Sequence, residues 1–284
     1  MFFGTLSLGV VYLIAAFALF VLGKFAFDLS YRFNLKHELI ERDNTAVAIA
    51  FAGYLVGLIV ALGGALSGPS ISLAVDLIDL FLYGGVAIVL LNVSVRINDW
   101  LILRRVSATQ EIVRDRNWGV GMIEAANHLA MGLIIYGAIA GGGGMLDVAG
   151  FWLLGQLSLI FAAFIYNRLA PFDVQDAIER GNTAVGTAFA GMLLAIGNIV
   201  RFAQGQDFHS WGQNLGYYAT VVLFGFIALP VARLATDRII LPGKRLTDEL
   251  INQEHPNVGA GVIEAAVYIA MSFLIGWCFK SLPA

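Results

Sequence analysis

The chain has little charge and almost no cysteine. Only 13% of its 284 residues are charged, whereas 59% are hydrophobic, a balance outside the range of soluble globular proteins. The net charge of -3 gives no reason to expect a nucleic-acid partner. The single cysteine, Cys278, excludes an intramolecular disulfide and a multi-cysteine zinc site. The composition therefore predicts a membrane protein and excludes most soluble enzymes.

Common catalytic and cofactor-binding motifs are also missing from the sequence. It contains no G-x-x-x-x-G-K-[ST] phosphate loop, no H-E-x-x-H and no G-x-S-x-G. The four glycines at 141–144 follow no predicted strand, so they are not a dinucleotide fingerprint. We therefore expect no enzymatic activity, no cofactor and no metal site.

Eight continuous apolar segments are long enough to cross a bilayer, which takes about 20 residues per helix. They are residues 5–23, 44–66, 71–95, 118–140, 148–166, 182–200, 212–232 and 258–279. Their apolar character is continuous instead of alternating, which favours helices over a β-barrel. The predicted fold is an all-α bundle of eight transmembrane helices.

The distribution of positive charge predicts the orientation of these helices. No Lys or Arg precedes Lys24, so the first segment lacks the basic region of a signal peptide and should be retained. All basic residues except Arg201 and Lys280 lie in alternate connections between the predicted helices. The positive-inside rule places these connections in the cytoplasm and both termini outside.

The sequence repeats itself in two places. Residues 40–53, IERDNTAVAIAFAG, match 178–191, IERGNTAVGTAFAG, at eleven of fourteen positions. Residues 117–131, NWGVGMIEAANHLAM, match 257–271, NVGAGVIEAAVYIAM, at nine of fifteen positions. The two pairs occur in the same order at nearly equal offsets, so the chain is an internal duplication.

The duplication predicts two units with a common orientation. Residues 1–140 form the first four-helix repeat, 141–147 a glycine-rich linker and 148–284 the second repeat. Because each unit contains an even number of spans, the two are parallel and related by a pseudo-twofold axis along the membrane normal.

The repeated motifs resemble those of a known family. The opening E-R-x-N-T-A-V of the second helix and the opening N-x-G-x-G-x-x-E-A-A of the fourth are similar to the domain-of-unknown-function family 350, the YjfL-like bacterial inner-membrane proteins. Two tandem copies cover essentially the whole chain. The resemblance implies an inner-membrane location and a four-helix unit, and it suggests an association with envelope-stress and polyamine-related functions. It implies no established activity and therefore no catalytic residues.

Small residues recur on one face of the helices that carry the motifs. Gly53 and Gly57 lie on this face of the second helix, as does Gly191 in the second repeat. Gly121 and Gly261 leave one side of the fourth helices without a side chain. Small residues let membrane helices approach closely. We interpret these positions as packing seams, in preference to a ligand groove.

Four asparagines stand where the motif-bearing helices begin. They are Asn44, Asn117, Asn182 and Asn257. Asparagine is a favoured N-cap because its side chain accepts a hydrogen bond from a free amide of the first turn. Capping is the simpler interpretation, but an amide near a cytoplasmic vestibule could also coordinate an ion.

Glu124 and Glu264 occupy matching positions in the fourth helix of each repeat, seven residues after the asparagine. At 1.5 Å per residue each carboxyl lies roughly 10 Å below the start of the helix. A central acid costs roughly 2.5–3.5 kcal/mol on insertion scales, so such residues usually face a bundle interior or a wet cavity. If the pseudo-twofold brings the two together, they could share one proton. The alternative is a structural hydrogen bond from a protonated carboxyl.

The two repeats differ one turn after these glutamates. His128 follows Glu124 on the same helix face, whereas Tyr268 follows Glu264. A Glu-His pair inside a membrane could relay a proton near neutral pH. A neutral histidine that fills space is an equal alternative.

Two functional hypotheses follow from these residues. The first is a channel or carrier for protons or small ions, with a paired glutamate site at Glu124 and Glu264. The alternative is a non-catalytic scaffold in the envelope-stress response that recruits a cytoplasmic stress-related partner. In both, the chain contacts the lipid bilayer and its small-residue seams would permit a homo-oligomer.

Overall fold

A computed structural model describes residues 2–31, 33–241 and 243–280, with side chains described between residues 6 and 279 of these ranges. Its α-helices are α1 (Phe2–Ser30), α2 (Thr45–Leu66), α3 (Leu73–Leu101), α4 (Ala108–Val113), α5 (Trp118–Ala140), α6 (Met145–Leu169), α7 (Val174–Glu179), α8 (Thr183–Gln204), α9 (Trp211–Ala235), α10 (Leu246–Ile251) and α11 (Val258–Lys280). Eight of them are long and apolar enough to cross a membrane, which confirms the predicted all-α membrane bundle. The basic residue Arg32 and the last four residues of the second repeat lie outside the described residues.

Five of the spanning helices continue at least three residues beyond their predicted ends, and one of them, α8, runs past Arg201 to Gln204. The helices α1, α3, α6 and α9 each extend past the charged residue at which the apolar segment stops; these residues are Lys24, Arg96, Arg168 and Arg233. A Lys or Arg lowers the local hydropathy but does not end a helix. Its long apolar stem packs on the apolar surface while its charge reaches toward the interface. The predicted ends were therefore too early, and the missed turns carry charged residues, among them Asp99 on α3.

The short helices α4, α7 and α10 lie in the connections that precede the motif-bearing helices. Two π-helical turns, His37–Glu41 and Thr236–Ile240, lie in the same set of connections. All five elements thus belong to the loops that the charge pattern predicts to be cytoplasmic.

The four motif-bearing helices form the centre of the molecule. α2 packs on α5, α5 packs on α8, and α8 packs on α11. The helices α1 and α3 flank the first pair, while α6 and α9 flank α8. Because α8 has neighbours on several sides, 89% of its most apolar window is buried, compared with 17% for α1.

Close backbone contacts hold the central helices together. A Cβ atom added at Gly53 would lie 2.3 Å from Cα of Ala125, and one added at Gly191 would lie 2.3 Å from Cα of Ala265. The other predicted seam positions have equally near backbone neighbours, between 2.3 and 2.8 Å: Gly57, Gly121 and Gly261. These distances leave no room for a side chain between the second and fourth helices of either unit.

The glycine-rich connection between the units is short. α5 ends at Ala140, and α6 begins at Met145 within the predicted linker 141–147. The helix begins early because a carboxylate oxygen of Asp147 accepts a hydrogen bond from the backbone amide of Gly144 at 2.8 Å. The carbonyl of Gly141 also accepts a hydrogen bond from the amide of Phe208 at 2.8 Å, which ties the connection to the neighbouring loop.

Candidate functional site

Each unit buries its glutamate beside a tyrosine and near an arginine that come from other helices. We call the group in the first repeat the first-unit site and the group in the second repeat the second-unit site. The first-unit site consists of Glu124, Tyr31, Asp99, His128 and Arg96. The second-unit site consists of Glu264, Tyr166, Arg233, Tyr268 and Asp237.

Glu124 lies in the first-unit site with no exposed surface. The hydroxyl of Tyr31 donates to its Oε2 atom at 3.4 Å. The carboxyl of Asp99, which comes from the last turn of α3, lies within hydrogen-bonding distance of the Glu124 carboxyl. The acid neighbour of Glu124 is therefore Asp99.

The carboxyls of Asp99 and Glu124, which we call the acid pair, each have an oxygen atom without a hydrogen-bond partner in the part of the chain that the structure describes. Oε1 of Glu124 and Oδ1 of Asp99 are both buried, and neither has a donor among the described residues. Buried polar atoms normally have hydrogen-bond partners, and two ionised carboxylates at this distance would repel each other. A proton held between the two carboxyls would remove both problems.

His128 lies beside the acid pair but does not contact its carboxyls directly. Its Nδ1 atom lies 2.7 Å from the backbone carbonyl of Glu124 and must carry a proton to bond to it. Its Nε2 atom, 3.4 Å from the hydroxyl of Tyr31, is then the acceptor nitrogen of the ring. The single hydroxyl proton of Tyr31 can be directed to this nitrogen or to Glu124, one at a time. The Tyr31 hydroxyl therefore stands between the Glu124 carboxyl and the imidazole.

Arg96 is the cation of the first-unit site, and it is not held by an ion pair. Its guanidinium lies over the ring of Tyr31, 5.0 Å from the ring centre. Within the described ranges, no carboxylate lies within 4 Å of this guanidinium. In the same ranges, no group of three His, Cys, Asp or Glu side chains is placed to hold a metal ion.

The second-unit site has the opposite electrostatic arrangement. Nε of Arg233 lies 3.1 Å from Oε1 of Glu264 in a salt bridge whose side chains are 16% and 1% exposed. The hydroxyl of Tyr268 donates to the same oxygen at 2.9 Å. Glu264 is thus neutralised by a buried cation, which binds α9 to α11.

Glu124 and Glu264 do not form the acid pair expected from the pseudo-twofold. They lie on α5 and α11, which pack against α8 from different sides. Their polar and charged neighbours come from separate sets of residues, each within its own unit. The prediction failed because equal depth in two repeats says nothing about the lateral distance between them.

The four asparagines act locally at the starts of their helices. The side-chain oxygens of Asn44, Asn117, Asn182 and Asn257 accept from the backbone amide three residues on, at 3.3, 3.2, 3.0 and 3.1 Å. Each amide nitrogen also donates to the connection before its own or a neighbouring helix. Both amide atoms are occupied, so this geometry favours capping over ion coordination.

Asn44 shows how such a cap orders a connection. Its amide nitrogen donates to the carbonyl of Ile112 at 2.9 Å and to the carboxylate of Glu38 at 3.0 Å, and Arg42 donates to the same carboxylate at 3.1 Å. Burial alone would raise the pKa of Glu38, but the donors on Asn44 and Arg42 outweigh it and lower the pKa from its usual value.

A second polar cluster joins the two units beside the acid pair. The side chain of Asn98 donates to Asn127 at 2.6 Å, and Gln156 of the second unit donates to Asn98. Oε1 of Gln156 is buried and has no partner among the described residues. Asn98 and Asn127 lie on the same two helices as Asp99 and Glu124, so α3 and α5 carry both polar clusters.

The sequence prediction missed Asp99, Arg96 and Arg233 because it ended α3 and α9 at their first charges. A weak signal was present: R-I-N-D at 96–99 corresponds to R-L-A-T-D at 233–237, at nearly the offset of the main repeats. The one extra residue in the second copy falls at the π-helical turn Thr236–Ile240, where a wider turn accommodates it.

Comparisons with known proteins agree with this duplicated architecture. The sequence model of the Domain of Unknown Function (DUF350) matches residues 1–139 and again residues 142–279, which is consistent with the pseudo-twofold repeat. A UPF0719 transmembrane protein of Aquifex aeolicus is 21% identical over 93% of this chain and 97% of its own length. The UPF0719 transmembrane protein YshE of Bacillus subtilis is 21% identical over 46% of this chain and 91% of its own length. No solved structure matches the chain.

Proposed function

Because this chain belongs to the DUF350 family, whose description names no activity, we propose a function from the geometry of its own residues. It carries protons or small cations across a membrane, and the acid pair Asp99 and Glu124 is the site that binds and releases them. The proposed role is not enzymatic.

The acid pair is the observation that supports this proposal. A carboxyl inside a bilayer is costly and usually lies on an ion or proton pathway. Here two carboxyls face one another, each with a buried oxygen that lacks a donor. Such a site gains from binding a proton or a small cation between the two side chains.

The groups around the pair supply a route toward one side of the membrane. Asp99 is half-buried and lies two residues before the end of α3, so it can exchange protons with the adjoining connection. From Glu124 the hydrogen bonds lead through Tyr31 to His128. The imidazole and the Tyr54 ring are perpendicular to each other, with 5.3 Å between their centres. A polar route that stops inside the bundle favours a gated carrier over an open pore.

The second-unit site has a structural role in this proposal. In the salt bridge between Arg233 and Glu264, the carboxylate is already paired with a cation, so it is not available to bind a transported proton or cation. An ion pair of this kind mainly fixes the position of the helices that carry it. The duplication thus provides one site for exchange and one site for assembly.

The transport proposal can be tested with purified protein reconstituted into lipid vesicles. A pH gradient is imposed, and a pH-sensitive dye inside the vesicles reports its decay. The first measurement has potassium and valinomycin on both sides, so that potassium compensates the charge that protons carry, and the second has sodium or potassium without the ionophore. We expect faster decay than in protein-free vesicles. If vesicles with protein lose the gradient no faster than protein-free vesicles under any of these ionic conditions, transport is rejected and the scaffold hypothesis remains.

We further propose that the protein lies in the bacterial inner membrane with both termini outside the cytoplasm, as the distribution of Lys and Arg suggests. This prediction can be tested by cysteine labelling after Cys278, which is exposed, is replaced with Ser. A cysteine at Ser107 should resist an impermeant reagent in intact cells, and one at Gly68, where nothing lies within 4 Å, should react. The reverse pattern would overturn the orientation.

A further inference from the structure

A cavity of about 260 Å³ lies among α6, α8, α9 and α11, beside the second-unit site. Most of its lining is apolar, and it reaches the outer surface of the bundle at Leu169 and Leu234, both 59% exposed. Its polar lining comes from Arg233, Tyr166 and Tyr268. The cavity is therefore open to lipid, and the polar groups in its lining come from these three residues.

Comparison of the two units explains why this space is empty. Tyr31 and Tyr166 each lie near the glutamate of their unit, and Ala162 precedes Tyr166 by four residues as Phe27 precedes Tyr31. The Phe27 ring contacts the rings of Tyr31 and Tyr54, with centres 4.3 and 4.7 Å apart. Ala162 has no ring, so the second unit keeps open the space that an aromatic side chain fills in the first.

Several polar atoms around this cavity lack partners. The hydroxyl of Tyr166 is buried without a hydrogen bond among the described residues, and so is Nη2 of Arg233, although Nε of that arginine contacts Glu264. Oε2 of Glu264 is also buried without a donor in the described part of the chain, but the two unpaired groups that line the cavity are donors, and buried donors without partners indicate a missing acceptor.

The positions of these donors give the site a direction. Arg233 and Tyr166 lie toward the ends of α9 and α6 that lead into the short-helix connections. Phe226 lies seven residues earlier, roughly 10 Å deeper along the helix. The polar end of the cavity therefore lies toward the membrane surface and its apolar end toward the bilayer centre.

We propose that this cavity binds one acyl chain of a membrane lipid whose anionic phosphate head accepts hydrogen bonds from Arg233 and Tyr166. A guanidinium offers five donors on separate edges, so Arg233 can hold a phosphate through Nη2 while Nε stays on Glu264. The chain lies along α6 and α9 against Ala162 and Phe226. This site is separate from the acid pair and does not depend on transport.

Thermal unfolding of the purified protein in a nonionic detergent tests this assignment, because a ligand that binds only the folded state raises Tm. The probes are phosphatidylglycerol, dodecyl phosphate, dodecanol and inorganic phosphate. We expect the first two to raise Tm and the last two to have little effect, because each of these lacks either the phosphate or the chain.

Variants then separate the cavity from the head-binding groups. Ala162→Phe restores the aromatic side chain of the first unit, so it should raise Tm without lipid and abolish the response to dodecyl phosphate. Tyr166→Phe removes a hydroxyl that has no partner, so it should fold normally and lose part of the response. Leu153→Phe, at a position on α6 that is 50% exposed and outside the cavity, should respond as the wild type does.

Three outcomes would overturn the proposal. They are an equal response to dodecanol, an equal response to inorganic phosphate, and an undiminished response in Ala162→Phe. If Ala162→Phe does not accumulate, Ala162→Leu fills less of the cavity and tests the same point. Whether or not the Ala162 variants accumulate, Tyr166→Phe should fold and still tests recognition of the phosphate head.

Discussion

Vesicles that contain Glu124→Gln are expected to lose proton flux completely, to the level of protein-free vesicles, although the protein remains folded. Glutamine keeps the shape of Glu124 and can still accept from Tyr31, while its amide can donate to the free oxygen of Asp99. The substitution therefore satisfies the buried atoms better than the native carboxyl but removes the proton that is exchanged. Flux in the vesicle assay and Tm in detergent would be measured on the same preparation.

The matched substitution in the second unit should have the opposite effect. Glu264→Gln leaves Arg233 as a buried charge without a partner, and breaking such a pair typically costs about 3–5 kcal/mol. We expect a clear loss of stability. The double variant Glu264→Gln with Arg233→Gln removes both charges, so it should recover most of the stability and retain flux.

The comparison of these variants decides the mechanism. Full flux in Glu124→Gln would reject the acid pair as the exchange site and favour the scaffold hypothesis. Loss of flux in the double variant, with Tm unchanged, would instead assign transport to the second-unit site.

Valine at Gly53 or Gly191 should strongly lower the stability of the helix bundle. A Cβ at either position would lie 2.3 Å from the backbone of the facing helix, so the helices must separate or shift. Overpacking of a well-packed core typically costs about 1–3 kcal/mol, and backbone neighbours can yield less than side chains. Tm in detergent and the fraction of protein that remains monodisperse after heating would measure the loss.

A matched control is available on α3, where a Cβ at Gly85 would meet nothing within 4 Å. Gly85→Val should leave Tm close to that of the wild type. A normal Tm for Gly53→Val and Gly191→Val would show that these glycines do not hold the second and fourth helices together. Equal losses at all three positions would point to a general effect of valine in these helices.

The two units retain the same skeleton of interactions but use it differently. Both place a glutamate on the fourth helix beside a tyrosine from the first. In the first unit the glutamate meets Asp99, and an aromatic cluster fills the space beside it. In the second unit the glutamate meets Arg233, and the equivalent space is a cavity. The two copies therefore differ most in the groups that surround the buried glutamate.

The sequence alone determined the membrane class, the eight spans and the duplication. These are local or composition properties: hydropathy over some 20 residues defines a span, and an asparagine caps a helix through an amide only three residues away. The small-residue seams were visible for the same reason, because residues such as Gly53 and Gly57 repeat at helical spacing. The family resemblance rested on these same local motifs and was confirmed by two successive matches.

Only the tertiary structure decided which partner each buried glutamate has. Glu124 meets Asp99 from α3 and Tyr31 from the end of α1, whereas Glu264 meets Arg233 from α9. These contacts depend on the lateral packing of helices that are distant in sequence. Hydropathy locates each span along the chain but does not tell which spans are neighbours in the membrane. Asp99 and Arg233 were further obscured because a charge near a helix end lowers hydropathy without ending the helix. The acid pair, the salt bridge and the lipid-facing cavity therefore arise from packing.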